Sequence, residues 1–565
     1  MINRRDLIQA GAAAAAIIAG GRFGGFDRAL AQQKLTQAQL LQFKDLGNVT
    51  LLHFADLHAQ LLPVYLREPA VNIGFGESQG QPPHLSGREF LRHYKIAAKS
   101  PDAYALTAEQ YLTLARSYGQ LGGLDRLATA VKAIRAERGQ DRVLLLDGGD
   151  SFQGSLASNR TKGQDVAGCL KLLKLDAATC HWEFTYGKDG FEKLDDALPY
   201  PFLGLNVKDA QQAETALDEC KIFDKGGVGI AILGHAYPHT GNVHPPSVLP
   251  PFSFGLRERD VRAAVDRARR KGASLIVLLS HNGFDADRKL AANVSGIDII
   301  FTAQSHEALP QPLKVSRTLL VASGSHGKFL SRLDLDVHTE GLRNFRYRLI
   351  PLFADAIAPD AEMAQAVARA RAPYAAELAR VVGQTESALY RRETIDASFD
   401  DLIGAAIAAE RDAEIVFFPG YNWGPTLLPQ SPITVEDIHA ATAISYPEVY
   451  RGEVSGARIK EILEGAADGL CNADPYWRLG RGMLRCSGLG YRLDVRHAAG
   501  KRISALQLLR NGKPIEPERN YTVAGFGNVA ERVEGPPAWE VVEKHVAAQK
   551  TVHIKPQAAV KVAGV

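Results

Sequence analysis

Five short segments of this chain place an aspartate, histidine or glutamine just past an apolar run. They are Asp56-Leu57-His58, Gly149-Asp150, His181, Ser280-His281 and Gln304-Ser305-His306. Carboxylate and imidazole together suit borderline-hard divalent ions such as Mn, Fe or Zn, and no thiolate stands among them to favour a softer metal. Singly, an Asp after a strand is often a helix cap, and a lone His is more often structural. The joint pattern argues otherwise. Six or seven donors are too many for one such ion, so two ions sharing a carboxylate fit the count, with Asp150 the natural bridge. A metal pair about 3.5–4 Å apart clamps the attacking and leaving atoms of an in-line displacement at a tetrahedral centre.

The elements that must carry these residues are short strands. Residues 48–56 (NVTLLHFAD) and 142–150 (RVLLLDGGD) share one plan, an apolar run closing on Asp. Further buried strands are predicted over 228–233, 274–279, 297–302 and 318–322, with helical patterns over 126–137, 165–173 and 260–270. Strands alternating with helices predict an α/β sheet whose functional loops lie at the strands' carboxyl ends. Continued as a strand, Asp56 and His58 would point the same way at i and i+2. His53 faces oppositely and is read as structural. His235, His239 and His244 in a Pro-rich loop, and His326 in Gly324-Ser325-His326-Gly327-Lys328, are read first as structural, with the loop histidines as second candidates to line the site and His326, whose loop follows a strand, as a second candidate near the metals.

The chain has 565 residues, enough for at least two domains, and 46% are hydrophobic against 23% charged. A net charge of +3 gives no nucleic-acid footprint. Residues 1–31 open on Arg4-Arg5, continue through a small-residue apolar run from Ala10 to Gly20 and close on Ala29-Leu30-Ala31. This describes a cleavable export signal of the twin-arginine type, leaving a soluble product that begins near Gln32. The apolar run is about half the ~20 residues a spanning helix needs. Residues 63–119 break the strand–helix rhythm and read as a long insertion beside the site. Residues 360–382 read as a connecting helix kinked at Pro373. After Thr385 helices over 400–410 and 457–467 and strands over 414–418 and 521–524 mark a second domain. The five cysteines form neither a zinc pattern nor a disulfide framework, so at most one bridge is expected and no catalytic thiol.

In this order, the Asp, His and Gln segments resemble the calcineurin-like metallophosphoesterases, as found in exported 5′-nucleotidases. A more specific resemblance is to the SoxB thiosulfohydrolases of the sulfur-oxidising system. It rests on His53-Phe54-Ala55-Asp56-Leu57-His58-Ala59-Gln60, His181-Trp182-Glu183-Phe184-Thr185-Tyr186-Gly187 and Leu278-Leu279-Ser280-His281-Asn282-Gly283. Trp423-Gly424-Pro425-Thr426-Leu427-Leu428-Pro429 and Asp474-Pro475-Tyr476 agree as well. The resemblance implies a four-layer αββα domain over 32–355, a linker helix over 356–384 and an α+β 5′-nucleotidase-type domain over 385–565.

It also implies two divalent ions, manganese before zinc or iron, on Asp56, His58, Asp150, His181, His281, Gln304 and His306. Asp150, His181 and Trp182 are the implied catalytic residues, and Trp423 and Gly424 the implied substrate wall. The implied reaction is that of an S-sulfosulfanyl-L-cysteine sulfohydrolase. Hydroxide held by the ions attacks the sulfonate sulfur of a cysteine S-thiosulfonate, and sulfate leaves while sulfane sulfur stays on the cysteine. The implied partner is the C-terminal cysteine arm of a SoxYZ-type carrier, met by a monomer in the periplasm with neither nucleic acid nor membrane involved.

Nucleotidases of this class have Asn-His-Glu-Phe-Asp where this chain has His181-Trp182-Glu183-Phe184-Thr185. The metal-ligand position is kept and the His–Asp pair is gone. Such a pair is worth on the order of 10²–10⁴-fold to an alkoxide leaving group, whereas a persulfide needs little protonation. The chain departs from SoxB at Ala303-Gln304-Ser305-His306, where the family usually has Gly-Gly-His-x-His; an amide oxygen is a weaker donor than imidazole. A periplasmic 5′-nucleotidase or cyclic phosphodiesterase, and a metal-poor carrier-binding paralogue, therefore stand as alternatives.

Overall fold

The structure is a computed structural model that describes residues 35–211, 214–421, 423–527, 534–554 and 559–564. The expected export signal over 1–31 lies outside the described residues. No described helix is long and apolar enough to cross a membrane.

The N-terminal half is built on two large sheets. One combines β1 (Val49–Phe54), β2 (Val143–Asp147) and β3 (Ala177–Ala178). The second contains β4 (Cys220–Lys225), β5 (Val228–His235), β6 (Leu275–Ser280), β7 (Ile299–Thr302), β8 (Leu313–Val315) and β9 (Thr318–Ala322). β10 (Phe329–His338) and β11 (Gly341–Pro351) return to the first sheet, whose order is β11-β10-β1-β2-β3. The second has the order β8-β9-β7-β6-β5-β4. β1 runs parallel to β2, and β5, β6, β7 and β9 run parallel to one another, so their carboxyl ends gather at one edge.

Alternation along each strand explains the layers. Leu51, Leu144, Leu146, Val277, Leu279 and Phe301 meet between the two sheets. Their neighbours Leu52, Phe54, Val143 and Leu145 face outward against α1 (Leu124–Arg138) and α2 (Gln164–Leu173). On the far side Ile276, Leu278 and Ile300 pack on α3 (Glu258–Arg270) and α4 (Phe284–Asn293). The result is helix, sheet, sheet, helix, and strands buried on both faces read as continuous apolar runs for that reason.

The expected insertion contains three short helices, Gly87–His93, Pro101–Leu106 and Tyr111–Tyr118. The single helix expected over 360–382 is instead broken. Ala361–Arg371 is helical, Ala372–Tyr374 tightens to a 3₁₀ turn, Ala375–Leu378 adds one turn, and Val381–Thr385 is already a strand. Pro373 has no N–H for the helix ladder, and the β-branched pair Val381-Val382 favours the sheet that follows.

The C-terminal half centres on a four-stranded sheet formed by Tyr450–Ser455, Asn520–Gly525, Ile415–Phe418 and Arg485–Ser487 in that order. Val416 and Phe418 face helices Ser398–Arg411 and Ala538–Gln549, while Ile415 and Phe417 face helix Gly456–Cys471. All five cysteines are free thiols.

Candidate metal centre

Each metal-ligand candidate sits in a loop that leaves a strand's carboxyl end: Asp56 and His58 after β1, Asp150 after β2, His181 after β3, His281 after β6, Gln304 and His306 after β7. Strand alternation does not aim them. β1 stops at Phe54, and Asp56, His58, Asp150, Gln304 and His306 all have left-handed backbone, with φ between 50° and 76°. Such a conformation is uncommon outside glycine and is stored at functional sites when its surroundings enforce it. Here backbone bonds enforce it. Asp56 N–H donates to Gly149 O (2.9 Å), His58 N–H to Asp150 O (2.8 Å) and His326 N–H to Asp56 O (2.8 Å). Gly149, at φ +93°, must be glycine, because a Cβ would meet His281 Nδ1 at 2.9 Å.

Two buried clusters result. Asp56, His58 and His306 offer one set of ligand atoms, and Asp150, His181 and His281 another, each set within 4.8 Å of itself. They adjoin: His281 Nε2 is 3.1 Å from Asp150 Oδ2 and 3.7 Å from Asp56 Oδ1. Buried Glu183 fixes the second cluster. Its Oε1 accepts from Ser151 N–H (2.9 Å) and Phe152 N–H (3.2 Å), and its Oε2 from His181 N–H (2.8 Å). Asp150 Oδ1 accepts from Trp182 N–H (2.8 Å), leaving Oδ2 to the histidines.

The donor set passes a chemical test for a cation. His281 Nδ1 donates to Gly148 O (2.6 Å), which turns Nε2 inward. Leu479 O, which can only accept, fixes the amide of Gln304 with Nε2 outward (3.2 Å) and Oε1 inward, 3.1 Å from His281 Nε2. Asp150 Oδ2 completes a convergence of lone pairs that needs a proton or a metal ion at its focus. Burial alone would lower the His281 pKa, but Asp150 and Asp56 outweigh it and raise it to about 10. The same cation-seeking field appears in the carboxyls. Burial opposes their ionisation, yet His306 and His281 hold Asp56, and His181 and His281 hold Asp150, below the usual range. Burial pushes His58 down to about 3 and lowers His181, keeping both imidazoles neutral and able to ligate.

The residues held only by the resemblance are also present. Trp182 and Trp423 line the pocket over the clusters, with ring centroids 5.0 Å apart, and Trp423 lies 4.7 Å from the His58 ring. Gly424 N–H donates to His326 Nε2 (3.1 Å). His53 is structural: it stacks on Phe301 and bonds Ser323 (2.6 Å).

His244 and His326, ranked below the ligands in the sequence, both lie at the site. His244 Nε2 lies 2.9 Å from His181 Nε2, and its Nδ1 is 2.7 Å from Tyr446 Oη, a chain that orients the His181 ring. The His326 ring is 5.3 Å from His58. The loop after β9 was the signal for His326, and the Pro-rich loop was the weaker one for His244. Tyr237, Tyr421 and Arg481, also unforeseen, line the same pocket.

Residues 379–538 match the family model for the 5′-nucleotidase C-terminal domain. The structure is similar to that of the sulfate thiohydrolase SoxB of Thermus thermophilus, with a TM-score of 0.89, 33% identity and coverage of 93% of this chain and 98% of that one. A 5′-nucleotidase precursor, also from Thermus thermophilus, shares the fold at a TM-score of 0.71 and 20% identity, over 91% of this chain and 99% of that one. The human 5′-nucleotidase is 30% identical over 195 residues, 34% of this chain and 33% of its own length. The chain thus aligns with about a third of the curated relatives it matches.

Proposed function

This chain belongs to the SoxB family, within the 5′-nucleotidase superfamily, and we propose that it is a dimetal hydrolase releasing sulfate from a cysteine S-thiosulfonate. The observation that carries the reading is the pair of adjoining buried clusters, Asp56/His58/His306 and Asp150/His181/His281. Two divalent ions bound there, with manganese proposed before zinc or iron, would supply Lewis acidity toward sulfonate oxygens and would lower the pKa of water.

The chain's own residues do the rest. Asp56, His58 and His306 would hold one ion, and Asp150, His181 and His281, with Gln304 beside them, would hold the other, Asp150 lying nearest both groups. Glu183 and Gly148 O fix the ligand loops, so that little reorganisation accompanies reaction. Trp182 occupies the position where the nucleotidases have their histidine, and Thr185 Oγ1 is committed to Trp182 O and Ser445. The His–Asp pair that would assist an alkoxide is thus not rebuilt, which favours a sulfur leaving group. Trp423 brings a buried indole N–H with no partner among the described residues to the pocket wall. A cleft between the insertion and the C-terminal half shares Gly480 and Arg481 with the pocket, and we assign it to the arm of a SoxYZ-type carrier. Export to the periplasm by the twin-arginine route, and action as a monomer, belong to the same reading.

The test is sulfate release from an S-thiosulfonated carrier peptide. Release should occur with added Mn, stop on chelation, and fall at least about 10³-fold in Asp150→Ala. Release undiminished in that variant would remove the bridging role. Faster turnover of AMP than of the thiosulfonate would favour the nucleotidase reading, and fewer than one ion per chain after Mn loading the carrier-binding one.

A further inference from the structure

We propose that Arg481 binds the anionic end of the substrate, gripping a tetrahedral oxyanion beside the metal-ligand clusters. The inference rests on the functional reading above only for the identity of that anion, a sulfonate on its way to sulfate.

Cations are common where the C-terminal half meets the rest of the chain, and Arg481's neighbours are spoken for. Arg478 pairs with Asp285 (2.7 Å), Arg392 with Glu68 (2.8 Å), Arg485 with Asp400 (2.6 Å), and Arg67 with Glu393. Arg481 makes no ion pair or hydrogen bond with any described residue, although it is half-buried and lines the pocket together with His58, Asp150, His181, Gln304 and His306. The groups that feel its charge are Tyr237, His239 and His244 from one half of the molecule and Tyr421 and Tyr446 from the other. None of them is a carboxylate. Asp150, the one acid in the pocket wall, is already engaged by His181 and His281.

A partly desolvated cation without a counter-ion is unfavourable, and an arriving anion relieves that cost. The guanidinium fork matches two oxygens of a tetrahedral anion at once, which an ammonium does not. Its placement is also rigid. Leu479 N–H donates to Gly469 O (2.8 Å), and Leu479 O accepts from Tyr237 Oη (3.0 Å) and Gln304 Nε2 (3.2 Å). Gly480 has φ +64° and packs so closely that a Cβ would lie 3.2 Å from Gln304 Cγ. The segment that carries Arg481 is therefore seated on the ligand loop itself. Arg481 also lines the larger cleft, where a long substrate would present its charged tip.

The experiment is titration of the Mn-loaded full chain with inorganic sulfate and thiosulfate by calorimetry. The parent, Arg481→Gln and Arg481→Lys are compared, with metal content and melting temperature recorded for each. Arg481→Gln should weaken anion binding on the order of tenfold to a hundredfold while retaining both ions. Arg481→Lys should recover part of the affinity. In sulfate release, the Gln variant should raise KM more than it lowers kcat. Anion affinity unchanged in Arg481→Gln, or no saturable sulfate binding by the parent, overturns the proposal. Anion binding that depends on Arg481 in a protein that releases no sulfate from the thiosulfonated peptide would instead retain Arg481 and retire the functional reading.

Discussion

Gln304 and His244 show how single side chains tune a metal site. The amide of Gln304 has only one orientation that satisfies Leu479 O, and that orientation offers an oxygen to the cluster of Asp150, His181 and His281. His244 works one step further out. Its Nδ1 lies 2.7 Å from Tyr446 Oη and its Nε2 2.9 Å from His181 Nε2, while His181 Nδ1 lies beside Asp150 (3.2 Å); if His181 ligates through Nδ1, its Nε2–H donates to His244. Partners of this kind set ligand orientation and basicity, and their loss costs about 10–100-fold in metal affinity. His244→Phe, which keeps the ring and removes both nitrogens, should weaken Mn binding by that amount in a chelator-competition assay. An unchanged dissociation constant would leave His244 as packing only.

At the scale of elements, the strands end early and the loops do the aiming. β1 and β2 bring their loops side by side, and the bonds from Asp56 N–H and His58 N–H to Gly149 and Asp150 carbonyls lock the left-handed turns. The helices bear on stability more than on chemistry. His439 lies on helix Val435–Thr442, buried against Trp539 with ring centroids 4.9 Å apart. Burial pushes its pKa down to about 4. An unfolded histidine titrates near 6.5, so between about pH 6.5 and 4 the unfolded chain takes up this proton first and stability is lost as pH falls. His439→Gln should remove that contribution, up to about 3 kcal/mol. Denaturant midpoints at pH 7 and pH 4.5 measure it, and equal losses in variant and parent would contradict the assignment.

Over the whole molecule, the two halves are joined at the site rather than beside it. Arg392, from the C-terminal half, is buried and bonds Glu68 of the insertion, Ser325 Oγ and the backbone carbonyl of His306. Burial opposes ionisation of Glu68, but Arg392 and Lys328 together hold it below the usual range. Removing one partner of a buried ion pair leaves the other charge uncompensated, at about 3–5 kcal/mol. Arg392→Met should destabilise by that much and loosen the His306 loop, lowering Mn affinity together with the denaturant midpoint. A loss below about 1 kcal/mol would mean that Lys328 suffices for Glu68.

How much of this was legible follows from what is local. Apolar runs closing on acids and imidazoles located β1, β2, β5, β6, β7 and β9 to within three residues, and with them the identity of the donors, because burial on both faces leaves a continuous apolar signature; β4, β10 and β11 left no such run. The substitution of Trp182 and Thr185 for a His–Asp pair was equally plain, since it needed only alignment. The left-handed turns at Asp56, His58, Asp150, Gln304 and His306 were not, because they are enforced by bonds to loops that lie far away along the chain. Nor was the break after Arg371, where a strand's partners outcompete a helical pattern. Arg481 reaches the pocket only because the two halves pack together, and its spacing bears no relation to the ligands it meets. Local chemistry named the donors; three-dimensional packing aimed them and chose what faces them, since orientation depends on contacts that no periodicity along one segment encodes.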